Sequence, residues 1–196
     1  MKQPNILLIM TDEMRGDCVG VRHPDVKTPY LDTLIARGTY FPNAVTACPS
    51  CIAARAGLFT DDYIQFLKNE LGANADIIDT GLECNSWVAR PWCYEERLHP
   101  TNWATDRSID FLRRRDRDKP FFLMTSYVRP HAPYDAPQAF FDMYKDKELT
   151  PPIRGDWDDE EALRKHGREF NNTNGPIDPE QIRAQQVGYY ACITHI

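Results

Sequence analysis

The chain has 196 residues, 42% of them apolar, which suffices for a core of its own and suits one domain or part of a larger one. Charged residues make up 27%, the signs are mixed and the net charge is −6, so no global field draws it to nucleic acid or to an anionic membrane. No apolar run reaches bilayer length, and the N-terminus lacks the pattern of a secretory signal. The expectation is a cytoplasmic protein with no membrane and no nucleic acid among its partners, its six cysteines held as thiols.

"NILLIM" (5–10) is a continuous apolar run between turn-forming flanks and reads as a buried parallel strand. Asp12 and Glu13 follow at its C-terminal end, the edge where open α/β sheets bind ligands. "TPYLDTLIARG" (28–38) reads as a short helix with Thr28 at the cap, Pro29 in the first turn, Leu31, Leu34 and Ile35 on one face, and Gly38 past its end. "TYFPNAV" (39–45) reads as a short strand, and Ser50 as the cap of a helix from Cys51. "DDYIQFLKNELG" (61–72) is an amphipathic helix ended by Gly72.

Residues 73–100 carry no periodicity; Trp87, Arg90, Trp92 and His99 within them are candidates to line a pocket or to pack. "NWATDRSIDFLRRR" (102–115) is a further helix, with Trp103, Ile109, Phe111 and Leu112 as its apolar contacts and a basic end that suits a solvated C-terminus. "PFFLMTS" (120–126) is the second strong strand and runs into a proline-stiffened loop bearing His131. Residues 145–177 read as loop, and "DPEQIRAQQVGYYACITHI" (178–196) as a helix capped by Asp178, with Gln181 completing a capping-box pattern. Its apolar pattern is still running at Ile196, and two strong strands are few for a helix-flanked sheet, so an incomplete α/β domain is expected.

Several side chains carry chemistry. Adjacent acids at a strand end either bind a hard cation through oxygen or are plain turn acids. A strand-end histidine between prolines is poorly placed for a core, and it either serves as an acid and hydrogen-bond donor or is ordinary. Cys48 and Cys51 form C-x-x-C, which is half of a zinc site, a redox pair or buried thiols; Cys84, Cys93 and His99 are the candidates to complete a zinc site, at spacings unlike a zinc ribbon.

"CIAAR" (51–55) matches the C-x-(P/A)-x-R signature of type I sulfatases, and Ile52 four positions after Cys48 excludes that cysteine from the match. "PNILLIMTDEMRGD", "HPDVKTPYLDTLIARGTYFPNAV", "KPFFLMTSYVRPHAPYDAP" and "VGYYACITHI" resemble other segments of that family, in the same order. The resemblance implies an alkaline-phosphatase/sulfatase-like α/β fold, a mostly parallel sheet flanked by helices. It implies a sulfuric ester hydrolase acting on a sulfated small molecule or glycan. A formylglycine-generating or maturase enzyme would convert Cys51 to formylglycine, whose hydrated aldehyde attacks the sulfate ester and then expels sulfate. Arg55 would set a fixed charge beside it, Asp12 and Glu13 would join Cys51 in holding Ca2+ or a similar cation, and His131 would contact the sulfate or the leaving oxygen.

The chain also departs from the family. Relatives carry a Gly-Lys-x-His segment after the position of Thr60, and a later Asp-His or Asp-Asn pair followed by a lysine; here Asp61 follows Thr60 directly, and the chain stops before the later pair. Residues 1–196 therefore read as an incomplete N-terminal catalytic domain, lacking a pocket segment at the 60/61 junction and a part after 196, and expected not to turn over alone. A phosphonate monoester or phosphodiester hydrolase of the same superfamily remains an alternative, as does a non-catalytic remnant with a structural metal at Cys48 and Cys51.

Overall fold

A computed structural model describes residues 3–44, 61–82, 86, 88–153, 155, 161 and 178–196. Cys48, Cys51 and Arg55, the helix expected from Cys51, Cys84 and Trp87 lie outside them.

Two strands, β1 (Ile6–Asp12) and β2 (Phe122–Pro130), pair in parallel, Ile6 opposite Phe122 through Thr11 opposite Tyr127. The register then shifts, so that Asp12 faces Pro130. Both apolar runs were legible, but β2 continues through "YVRP" to the loop itself. The helices among the described residues are α1 (Pro29–Arg37), α2 (Asp61–Leu71), α3 (Pro100–Arg114), α4 (Gln138–Asp142) and α5 (Pro179–His195). None is long and apolar enough to cross a membrane.

Helix α3 lies on β2 through hydroxyl pairs, Thr105 with Tyr127 and Ser108 with Thr125, each at 2.8 Å. It starts earlier than its apolar pattern suggests, because His99 caps it: Nδ1 accepts the Thr101 amide at 3.1 Å. Ile109 and Phe111, expected as its packing contacts, stay substantially exposed. Helix α5 begins where the Asp178 carboxylate accepts the Glu180 amide at 2.7 Å. Its buried residues Val187, Tyr190, Ala191, Cys192 and Ile193 meet Cys18, Val26, Phe141 and Tyr144 in the main core, beside the sheet's C-terminal edge.

Three local expectations are corrected. Residues 39–44 form no strand: Pro42 has no amide to donate, and the Ala44 amide closes a turn on the Phe41 carbonyl at 3.3 Å. Helix α1 buries none of its residues, Leu34 and Leu31 included, and Gly38 ends it in extended backbone. Its Thr28 hydroxyl does not cap the helix; it donates to Asp32 and accepts the Gly20 amide. Strand β1 too is uncovered: Ile6 to Met10 are 41–53% exposed, whereas parallel strands are normally buried on both faces.

Candidate functional site

Parallel pairing brings the C-terminal ends of both strands to one edge, and this places Asp12 and Glu13 beside the loop after β2. Successive side chains of a strand point to opposite faces, so two adjacent acids on a continuing strand would diverge. Here the alternation breaks. Glu13 has a φ of 58°, the left-handed region, which costs a non-glycine residue on the order of 1 kcal/mol. Beyond it the chain turns away from the sheet.

His131, expected on an open loop, is buried instead. The peptide bonds before Pro130 and Pro133, on either side of it, are cis. Its Nδ1 lies 2.6 Å from the Ala132 carbonyl oxygen. A carbonyl only accepts, so Nδ1 carries the proton and Nε2 is turned to Glu13, 3.4 Å from Oε1. Asp12 is buried as well, and its Oδ2 has no hydrogen-bond partner. An unpaired buried carboxylate oxygen is costly, and a cation answers that cost directly. Asp12 and Glu13 thus fit a hard cation in donor type. They supply only part of its six to eight oxygens, and among the described residues no group of three or more His, Cys, Asp or Glu is poised as a metal cluster.

The loop is held by a pair that sequence reading did not single out. Arg129 and Asp135 are both buried and share two hydrogen bonds of 2.5 Å, closing the loop on either side of His131. Burial works against the Asp135 charge, but Arg129 and His99 outweigh it and hold the carboxyl well below its usual range. The available signal was two opposite charges bracketing "PHAPY" on a proline-rich loop. Backbone bonds from Arg90 to Tyr134 and from Trp92 to Ala136 fasten the loop's far side.

The proposed pocket residues of 73–100 prove structural where they are described. Trp92 and His99 are buried and meet edge to face with ring centroids 5.1 Å apart, and Arg90 donates to the Thr80 carbonyl at 2.9 Å. His99 is committed by the Thr101 amide and by the ring contact with Trp92, and among the described residues Cys93 and His99 join no group of three or more metal-binding side chains. A cavity of about 70 Å³ between α3 and β2, lined in part by Tyr63, Trp103 and Arg129, includes neither Asp12 nor His131.

A family model described as Sulfatase matches residues 4–76. The chain is 38% identical to an arylsulfatase of Clostridium perfringens, in an alignment covering 99% of this chain and 57% of that protein. It is 26% identical to the multifunctional alkaline phosphatase superfamily protein PehA of Trinickia caryophylli, over all of this chain and 58% of that one. The fold resembles the crystal structure of phosphonate monoester hydrolase of Agrobacterium radiobacter, with a TM-score of 0.65 at 18% identity over 98% of this chain and 57% of that chain. The chain thus spans a little over half the length of these relatives. The arylsulfatase alignment runs over 274 residues while taking in 99% of 196, so roughly 80 positions of the relative face no residue here.

Proposed function

As the chain belongs to the sulfatase family, we propose that it is part of a sulfate-ester hydrolase whose nucleophile is formylglycine made from Cys51 and whose cation is held in part by Asp12 and Glu13. The observation that carries this is the partnerless Asp12 Oδ2, buried at the strand edge beside the Glu13–His131 contact. When bound there, a divalent cation neutralises sulfate charge and lowers the pKa of a coordinated hydroxyl.

The chain's own residues divide the remaining work. Arg55, four positions after Cys51, supplies a permanent positive charge for the oxygens at the reacting centre. His131 holds its Nδ1–H on the Ala132 carbonyl, and it is the imidazolium form, with a second proton on Nε2, that would donate to a sulfate oxygen or to the departing alcohol. Asp135 and Arg129 position that ring without touching the substrate. The substrate class is a sulfated small molecule or glycan, and the modifying partner is an enzyme that oxidises Cys51.

These residues make up part of a site, and the chain alone is not expected to turn over. The two carboxylates fall short of a calcium shell, and the unmatched positions of the arylsulfatase are numerous enough to include the Gly-Lys-x-His segment missing after Thr60. The test offers an aryl sulfate, a phosphate diester and a phosphonate monoester to the chain purified after co-expression with a formylglycine-generating enzyme. No turnover, or aryl sulfate fastest, agrees with the proposal. A preference for the phosphonate ester would replace the sulfatase reading with that of the phosphonate hydrolases. Stoichiometric zinc without an aldehyde would replace it with a structural metal at Cys48 and Cys51.

A further inference from the structure

We infer that Tyr189, on the last helix, is a positioning residue for the cation site: its hydroxyl clamps the turn that carries Asp12 and Glu13. The inference rests on the cation reading above and extends it to a side chain that no motif points to.

The hydroxyl accepts the Arg15 amide at 2.9 Å and donates to the Glu13 carbonyl at 2.7 Å. One side chain thus satisfies the peptide groups on both sides of Met14. Glu13, whose carbonyl is one of the two groups, holds a positive φ, a conformation that persists in a non-glycine residue only where its surroundings over-determine it. The bond from Tyr189 to the Glu13 carbonyl is one such constraint, and the bond from the Arg15 amide fixes the Met14 link that follows it. Without the turn, β1 would continue and send the Asp12 and Glu13 carboxylates to opposite faces.

The same ring reaches the other half of the site. Tyr189 and Tyr134 meet edge to face with centroids 5.9 Å apart, and Tyr134 lies in the loop that carries His131. Helix α5 comes this close because residue 188 is glycine: a Cβ there would stand 2.8 Å from that of Tyr134 and 2.6 Å from that of Ala89. Met14 packs against the core that α5 helps to build. Tyr189 therefore spans from the acidic turn to the histidine loop, and its ring alone would keep the packing but lose the clamp.

The experiment compares the purified chain with Tyr189→Phe, using terbium as a luminescent stand-in for a hard divalent cation. Asp12→Asn serves as the site control. Tyr190→Phe, which removes a neighbouring hydroxyl that bonds to His23, controls for general loosening of the helix. Tyr189→Phe is expected to weaken terbium binding about fivefold to tenfold, the effect of losing one or two hydrogen bonds that fix a ligand, while Tyr190→Phe leaves it unchanged. The Arg15 amide is expected to be protected from hydrogen exchange in the unsubstituted chain and to exchange at least about tenfold faster in Tyr189→Phe. Unchanged terbium affinity in Tyr189→Phe overturns the inference and leaves the cation reading standing. An Arg15 amide that exchanges freely in the unsubstituted chain also overturns it, with no variant needed. An unsubstituted chain that takes up no terbium overturns both.

Discussion

Arg129 and Asp135 share their charge inside the protein, where neither is replaced by water if its partner is lost. Removing one member of such a pair strands the other, and Arg129→Met is expected to cost about 3–5 kcal/mol in urea denaturation. Joint replacement, Arg129→Met with Asp135→Leu, should recover a large share of that loss. A single substitution costing under about 1 kcal/mol would show the pair to be solvated. Two histidines beside this pair give stability a pH dependence. Burial lowers the pKa of His99, and its Nδ1 must stay unprotonated to accept the Thr101 amide. Burial, and then the neighbouring His99, pull His195 down to about 3. Asp135 and Glu96 approach these rings from the acidic side and Arg129 from the basic side. Both folded pKa values lie below the unfolded value of 6.5, so the folded state takes up protons later than the unfolded chain. Their contribution is whole above about pH 6.5 and is lost as pH falls below it, for His195 down to about 3 and by up to about 1.4 kcal/mol per pH unit. Thermal melts should be flat from pH 8 to 7 and fall steadily below 6, less steeply in His195→Gln. Melting that stays constant from pH 7.5 to 5 would contradict neutral, buried histidines.

At the scale of elements, the most demanding contact is that of α5 with the segments at Ala89 and Tyr134. Gly188→Ala places a methyl against two Cβ atoms that have no rotamer to move to. The helix must shift, at about 1–3 kcal/mol, and melting temperature should drop accordingly, with partial recovery from Ala89→Gly. An unchanged melting temperature would mean that the helix sits farther out. Elements whose signals are local were legible in sequence: the apolar runs of β1 and β2, the Asp178 cap of α5, and Gly72 after α2, with a φ of 106°. Adjacent acids and a histidine could be placed because each follows a strand directly. The clamp residues could not. Tyr189 bonds to an amide 174 positions away, and His99 meets Asp135 across 36, distances over which composition and periodicity carry no information. The amphipathic pattern of α1 was read correctly as a helix with one apolar face; that the face stands exposed was not legible, because the pattern says which face is apolar and not what covers it.

At the scale of the molecule, the core lies beside the sheet while strand β1 stands open. Leu34 and Phe122 are exposed along with β1. An open apolar strand in a chain that lacks roughly 80 positions of its relative is the arrangement expected of an α/β layer without its full cover. Exposed apolar area of this extent is a site for association. The purified chain should therefore bind a hydrophobic dye and sediment as oligomers at micromolar concentration. A dye-silent monomer would show that the sheet is covered in solution.

The central claim is that Cys51, Asp12, Glu13 and His131 belong to one sulfate-ester site. It is tested most directly by peptide mapping of the chain after co-expression with a formylglycine-generating enzyme. The account expects the peptide containing Cys51 to carry an aldehyde that reacts with a hydrazide probe, and Cys48 to remain a thiol. A peptide whose Cys51 stays a thiol, while a bona fide sulfatase expressed alongside is converted, would contradict it.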